Sequence, residues 1–153
     1  MIRLSRLCDY GIVLMVELAG RAGGSHNARE LAEGAGLPLP AVSKLLKTLT
    51  RQHLLISHRG AKGGYSLARA ASEITAAEMI TALEGPIGLT QCTIEPGECI
   101  QEASCHVREP WQRINTVMRN ALASISLADL ACPVGSVLSP INENLAHTSL
   151  LEV

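Results

Sequence analysis

The segment PLPAVSKLLKTLTRQHL, residues 38–54, constrains the fold of this 153-residue chain more than any other stretch. Two prolines stand at its start, where a helix tolerates proline, and none stands inside it. Apolar residues then recur at helical spacing, at Val42, Leu45, Leu46 and Leu49. The segment therefore predicts a helix with one buried stripe. Its polar side carries Ser43, Lys44, Lys47 and Arg51.

The segments on either side of this helix identify the kind of domain. Before it, Asn27 is placed to cap a short helix, ARELAEG, which ends in the turn GAGL. After it, LLISHRGAKGGYSLA predicts a strand, a glycine-rich turn and a second strand. A short helix, a tight turn, a second helix and a basic hairpin are typical of a winged helix-turn-helix.

Two further helices complete the predicted domain. Ser5 is a suitable cap for a first helix that runs to about Ala22, where two glycines stop it. The capping box TAAE, residues 75–78, opens a fourth helix that ends at Gly85 and Pro86. We therefore expect residues 1–85 to form a mainly α domain with a small β wing. Because no apolar run approaches eighteen residues, no membrane span is expected.

Charge is distributed unevenly along the chain, and this favours a polyanion as partner. Residues 1–70 hold ten Lys and Arg against four acidic residues, a net charge of +6, whereas the remainder has −7. In a winged helix the start of the second helix meets base edges, and the flanking residues hold phosphates. The predicted contacts to double-stranded DNA are Pro40, Ala41, Ser43, Lys44, Lys47, Arg51, Arg59 and Lys62. The chain lacks Phe and any aromatic platform, which argues against binding single strands by stacking.

A cysteine-rich loop, QCTIEPGECIQEASCH, follows the predicted domain and carries Cys92, Cys99 and Cys105. The apolar run of the first helix begins after Asp9 and contains Glu17, which is unlike a signal peptide. We therefore expect a cytoplasmic protein, in which disulfides are rare. The spacing is wider than the close pairs of a zinc finger and suits a loop that wraps an iron–sulfur cluster. Zinc binding, thiol redox sensing and the absence of any ligand remain open on spacing alone. Cys132 lies outside the loop, and we expect it to be structural.

A long helix is predicted to begin at Glu109 and Pro110 and to run to about Ser126. Its apolar residues have the alternating spacing of a coiled-coil seam, at Trp111, Ile114, Met118, Ala121 and Ile125. This pattern predicts a homodimer, although a helix buried only within its own chain would share it. The expected division is thus a domain over 1–85, a cysteine loop over 86–108, a dimerisation helix over 109–132 and a loose tail over 133–153.

Five segments together resemble those of the IscR/NsrR-type winged-helix regulators, the Rrf-two family. They are LSRLCDYGIVLMVELA, LPLPAVSKLLKTL, SHRGAKGGYSLA, ALEGPIGLTQC and the cysteine loop followed by PWQRIN. The resemblance covers roughly residues 1–132. The segments HRGAKGGYSLA and ALEGPIGLTQC are similar to those of the branch that regulates SUF iron–sulfur assembly operons. It implies a DNA-binding homodimer with an iron–sulfur cluster, 2Fe–2S rather than 4Fe–4S, on Cys92, Cys99 and Cys105.

The fourth ligand is where the sequence departs from the family's pattern. Members with a histidine ligand carry it three residues after the last cysteine, and here that position is Arg108. His106 adjoins Cys105 and is one alternative. Asp9 matches the position at which other members take an acidic ligand from the partner's first helix. Cys8 is a third alternative, and solvent or a small thiol a fourth.

The resulting expectation is a transcriptional regulator and not an enzyme: a cluster-sensing repressor of iron–sulfur assembly genes. A repressor of the same fold that senses oxidants or zinc through bare thiols is the principal alternative. An iron–sulfur carrier or a thiol enzyme fits less well. A carrier has no use for a helix and wing, and neither a Cys-His-Asn nor a Cys-x-x-Cys arrangement is visible.

Overall fold

A computed structural model of the chain describes residues 3–21, 23–60 and 63–132. Seven α-helices, two short 3-10 helices (Ala71–Glu73 and Glu102–Ser104) and one antiparallel hairpin lie in these residues. The order is α1 (Arg6–Gly20), α2 (Ala28–Ala35), α3 (Leu39–Arg51), β1 (Leu55–His58), β2 (Gly64–Leu67), α4 (Ala76–Glu84), α5 (Gln91–Ile94), α6 (Arg108–Ala123) and α7 (Leu127–Ala131). The mainly α fold with a small β wing is as predicted. The expected tail, 133–153, and the wing residue Lys62 lie outside the described residues.

Local capping explains where the first three helices begin. The Ser5 side chain accepts from the Cys8 N–H at the start of α1. Asn27 and Glu30 form the reciprocal capping box of α2. Pro38 takes the cap position of α3, and Pro40 falls in its first turn. Helix α1 ends two residues before the predicted Ala22.

The core forms where α1 meets its neighbours, because α1 packs against α2, α3, α4 and α7. The predicted stripe of α3 is buried throughout, with no residue more than 1% exposed. It meets Leu14, Met15 and Leu18 of α1. Burying such side chains contributes about 1.5–3 kcal/mol each relative to exposure. Helices α2 and α3 are thereby held as a helix-turn-helix against α1.

The hairpin is joined to the helix-turn-helix by a further pair of hydrogen bonds. Within it, Leu55 pairs with Leu67 and His58 with Gly64. His26, just before α2, exchanges two backbone hydrogen bonds with Tyr65, at 2.9 and 3.0 Å. The segment before α2 therefore lies beside β2 and continues the small sheet.

The last predicted helix differs from expectation at its carboxyl end. Helix α6 ends at Ala123, three residues before the expected Ser126, and Ser126 instead caps α7. Ala76 and Leu127 donate backbone hydrogen bonds across this junction to Ile125 and Ile74. Ile125 packs on the core and Leu127 is buried in it. Tertiary packing thus breaks the helix that periodicity alone would continue. In the described ranges no helix is long and apolar enough to cross a membrane.

Gly64 should prove essential to the junction between wing and helix-turn-helix. A β-carbon there would lie 2.5–2.9 Å from three backbone atoms of His26, which cannot move aside as a flexible side chain can. Gly64→Ala should lower the free energy of unfolding by roughly 1–3 kcal/mol, measured by urea denaturation. Gly20→Ala is the control, because a β-carbon there meets nothing within 4 Å. It should be neutral or stabilising by up to about 1 kcal/mol. Equal effects of the two substitutions would contradict the close approach.

Candidate nucleic-acid interface and cysteine loop

Helix α3 and the hairpin enclose a groove on the basic side of the domain. The groove has a volume of about 440 Å³. It is lined by Lys44, Lys47, Thr48, Thr50, Arg51, Ser57 and Tyr65. Three predicted DNA contacts therefore meet around it. Ser57 and Tyr65 were not predicted, since only the strand register turns them towards α3.

The cationic groups of this face are not neutralised by the described part of the chain. There, Lys44, Lys47 and Arg59 make no ion pair, and Arg51 bonds only Thr48, from its Nη2 to the Thr48 Oγ1 at 3.3 Å. Arg59 is exposed at the end of β1 beside Gly60, whose φ is +109°. Pro40 is exposed, while Ala41 and Ser43 are half-buried in the first turns of α3. The geometry is that of a surface open to a polyanion.

The three loop cysteines are free thiols with different surroundings. Cys92, in α5, is 8% exposed, and its Sγ lies 3.3 Å from the Thr90 Oγ1. Cys99 and Cys105 are half-buried further along the loop. In the described residues, no three His, Cys, Asp or Glu side chains gather closely enough to hold a metal ion. The loop of the single chain therefore supplies the donors without a preformed site.

The candidates for a fourth ligand differ in how far their side chains are exposed to solvent. Asp9 is exposed in the first turn of α1, and His106 is exposed beside Cys105. Cys8 is 1% exposed. Burial, together with the charge of Glu84 and a hydrogen bond to it, raises the pKa of the Cys8 thiol to about 11. A thiol that stays protonated and enclosed is a poor ligand. Arg108 forms an ion pair with Glu102 at 2.7 Å.

Glu84 connects the end of α4 to the start of α1. Its Oε1 accepts the backbone N–H of Ser5, and its carboxylate takes a hydrogen bond from the Cys8 thiol. The hydrogen bonds from Ser5 lower the pKa of Glu84. The cysteine loop leaves the domain directly after this contact, so the root of the loop is fastened to the central helix.

Helix α6 has an apolar face that the described part of its own chain leaves open. Trp111 is 37% exposed, Ile114 49% and Val117 58%. Two members of the expected seam lie elsewhere. Met118 turns inward, where it lines a cavity with Ile80 and Leu122, and Ile125 belongs to the core. Cys132, expected to be structural, is exposed and fills no part of the core.

Asn115 is the buried polar residue on the inner side of α6. It is 5% exposed, and its Nδ2 donates to the Ile87 carbonyl at 3.4 Å. This contact fixes α6 against the segment that follows α4. The residue was not singled out from the sequence, because its burial depends on the path of residues 86–90.

Comparison with known proteins gives the family. The Rrf2 family model, described as "Iron-dependent Transcriptional regulator", matches residues 4–133. The regulator CymR of Bacillus subtilis is 34% identical over 130 residues, which are 84% of this chain and 89% of CymR. The regulator IscR of Sodalis glossinidius is 29% identical over 84% of this chain and 78% of its own length.

Solved structures give the same result. The structure of CymR, "the Global Cysteine Regulator of B. subtilis", superposes with a TM-score of 0.67 at 35% identity, over 86% of this chain and 97% of that one. IscR of T. potens superposes with a TM-score of 0.64 at 29% identity, covering 84% and 85% of the two chains. These relatives are regulators of transcription and not enzymes. With its helix-turn-helix, wing and cysteine loop in this order, the chain belongs to the Rrf2 family of winged-helix transcriptional regulators.

Proposed function

We propose that the protein is a homodimeric, cytoplasmic repressor that binds an iron–sulfur cluster on its cysteine loop and controls iron–sulfur assembly genes of the SUF type. The observation that carries the proposal is the placement of three free thiols between the DNA-binding domain and a helix with an open apolar face. The description of the family as iron-dependent supports it.

DNA recognition falls to the groove between α3 and the hairpin. The first turns of α3, with Pro40, Ala41, Ser43 and Lys44, enter the major groove. Lys47 and Arg51 follow on the same exposed side and hold phosphates. Arg59 extends from the wing towards the minor groove, where a narrow stretch attracts arginine, with Lys62 beside it in sequence.

The donors of the loop suit an iron–sulfur cluster by their chemistry. Thiolates are the usual ligands of such clusters, and Cys92, Cys99 and Cys105 are unpaired on one short segment. Because the three are not gathered in the chain alone, Cys92 and the segment that carries Cys99 and Cys105 must approach one another to share one cluster. The cluster, when bound, supplies a redox-sensitive and iron-dependent link between the cysteines, 2Fe–2S in our proposal. The residues around the three cysteines determine how readily the cluster binds.

Asp9 is our preferred fourth ligand, donated by the partner subunit. It is exposed on α1, and no described side chain pairs with it, so it is free to reach outward. His106 is the alternative from the same loop. Cys8 is disfavoured because its thiol is buried and its pKa is raised.

The Glu84 contact offers a route from the loop to DNA. It fastens the root of the loop to α1, and α1 packs directly on α3. A cluster that favours one arrangement of the loop would shift the dimer between conformations by its differential affinity for them. We propose that the loaded form represses and that loss of the cluster relieves repression.

A thiol sensor of the same fold is the second candidate. The similarity to CymR, described as a global cysteine regulator, favours it, as does the partial exposure of Cys99 and Cys105. In that function an oxidant such as peroxide takes two electrons from two thiols, which form a disulfide while the oxidant leaves as water. It predicts colourless protein under anaerobic conditions. A zinc sensor would instead bind the metal stoichiometrically.

Cys99→Ala tests the cluster. After anaerobic reconstitution with iron and sulfide, wild-type protein should show a visible chromophore and bind DNA from its own upstream region. Cys99→Ala should lose the chromophore and shift the affinity for this DNA at least several-fold, measured by anaerobic titration. Cys132→Ala, which changes an exposed cysteine outside the loop, is the control. Unchanged DNA affinity in Cys99→Ala would remove the sensing function.

Arg51→Gln tests the DNA-binding face. Removing one phosphate contact should weaken binding to all sequences alike and reduce the slope of log K against log salt by about one. Arg119→Gln removes an exposed arginine of α6 instead and should leave the slope unchanged. Equal slopes for Arg51→Gln and wild type would exclude Arg51 from the interface.

Ile114→Glu tests the dimer. Ile114 is 49% exposed on the open face of α6, so a charge there should oppose burial against a second subunit. Sedimentation velocity should show dimers for wild type and monomers for Ile114→Glu at micromolar concentration. Thr116→Glu, at an exposed position of the same helix, should remain dimeric. A dimeric Ile114→Glu protein would place the interface elsewhere.

A further inference from the structure

Glu102 is a largely buried charge in a segment that is otherwise open to solvent. Only 10% of its side chain is exposed. From Glu95 to Val107 every residue is exposed except Cys99, Glu102 and Cys105, which are half-covered. These three residues recur at intervals of three, and the Glu102 N–H donates to the Cys99 carbonyl just before a 3-10 turn over Glu102–Ser104. In such turns residues three apart lie on the same side. A carboxylate that lies between two cysteines and is withdrawn from water needs specific partners.

Both oxygens of Glu102 have such partners. Its Oε2 accepts the backbone N–H of Gly97 at 2.6 Å. Its Oε1 lies 2.7 Å from the Arg108 Nη2. Hydrogen bonds to a charged group are roughly twice as strong as those between neutral groups.

The two contacts close two short rings of chain, and each ring contains one cysteine. The contact with Gly97 closes residues 97–102 around Cys99, and the contact with Arg108 closes residues 102–108 around Cys105. Gly97 has a φ of +94°, which favours glycine at the turn. The carboxylate is thus the common point of both rings.

Apolar packing cannot replace this role in the middle of the loop. Ile100, its apolar residue next to Cys99, is fully exposed. The dependence is mutual, because the Nε of Arg108 is shielded from solvent and has no hydrogen-bond partner. The Arg108 side chain as a whole is 43% exposed, so the cost of losing the pair falls mainly on Glu102, whose carboxylate would be left withdrawn from water without its counter-charge.

We propose that Glu102 is a positioning residue of the cysteine loop: clamped by Gly97 and Arg108, it holds Cys99 and Cys105 on one side and thereby slows cluster loss. The statement about cluster loss rests on the proposed function, whereas the statement about loop shape does not. The positive charge of Arg108 also balances the carboxylate beside the thiolates, so that the clamp adds no net charge to the site.

Glu102→Gln is the principal test, with Glu98→Gln as the matched control. Glu98 is exposed in the same loop. Among the described residues its side chain has no hydrogen-bond or ion-pair partner. In protein without metal, amide hydrogen exchange over residues 97–108 should be faster in Glu102→Gln than in wild type. In reconstituted protein, Glu102→Gln should lose its visible absorbance to a chelator about tenfold faster, as is typical when a partner of a metal ligand is removed. Glu98→Gln should behave as wild type in both measurements.

Variants of Arg108 separate a positioning role from a merely structural one. Arg108→Lys keeps the cation and should retain the cluster nearly as wild type, whereas Arg108→Gln should match Glu102→Gln. The double variant of Glu102→Gln and Arg108→Gln should be no worse than either alone, because one pair is lost in all three. If Glu102→Gln is poorly folded by circular dichroism, the two Arg108 variants decide the question.

The outcomes distinguish this inference from the proposed function. If wild-type protein takes up no iron and sulfide, the proposed function and the role in cluster retention both fail, and hydrogen exchange still decides the clamp. Wild-type exchange and cluster lifetime in Glu102→Gln would overturn the clamp. Faster exchange with an unchanged cluster lifetime would overturn the positioning role.

Discussion

The burial of α1 is the contact on which the other elements depend. Leu14, Met15 and Leu18 occupy the centre of the core, and α1 meets four other helices. Helix α3, the candidate for contacting DNA, packs on one side of it. The segment that leads into the cysteine loop is fastened to its first residues by Glu84. The two functional regions are therefore related through one helix.

The elements that could be predicted from the sequence are those that local physics determines. The stripe of α3, the caps at Ser5 and Asn27 and the capping box at Thr75 each depend on residues a few positions apart. The glycine-rich turn likewise marks the hairpin. The groove of the candidate DNA site was predictable in its cations, because they occupy the polar side of one helix.

The rest depends on contacts between distant segments. The predicted end of α6 was wrong by three residues. The backbone hydrogen bond from Leu127 to Ile74 that accompanies the break cannot be inferred from the spacing of apolar residues. The raised pKa of the Cys8 thiol depends on its burial and on Glu84, far along the chain. Glu102 could not be told from the other acids of its loop, since only the fold withdraws it from water. The proposed placement of Cys99 and Cys105 on one side depends on that same carboxylate.

The hydrogen bonds between His26 and Tyr65 bear on what kind of signal this protein can transmit. They join the wing to the segment before α2, so the hairpin and the helix-turn-helix form one structural unit. A unit joined in this way has little freedom to change its own shape when the conformation of the cysteine loop changes. What the proposed dimer can change is the separation and tilt of its two DNA-binding units. Regulation would then act through the spacing of operator half-sites rather than through the choice of bases within each one.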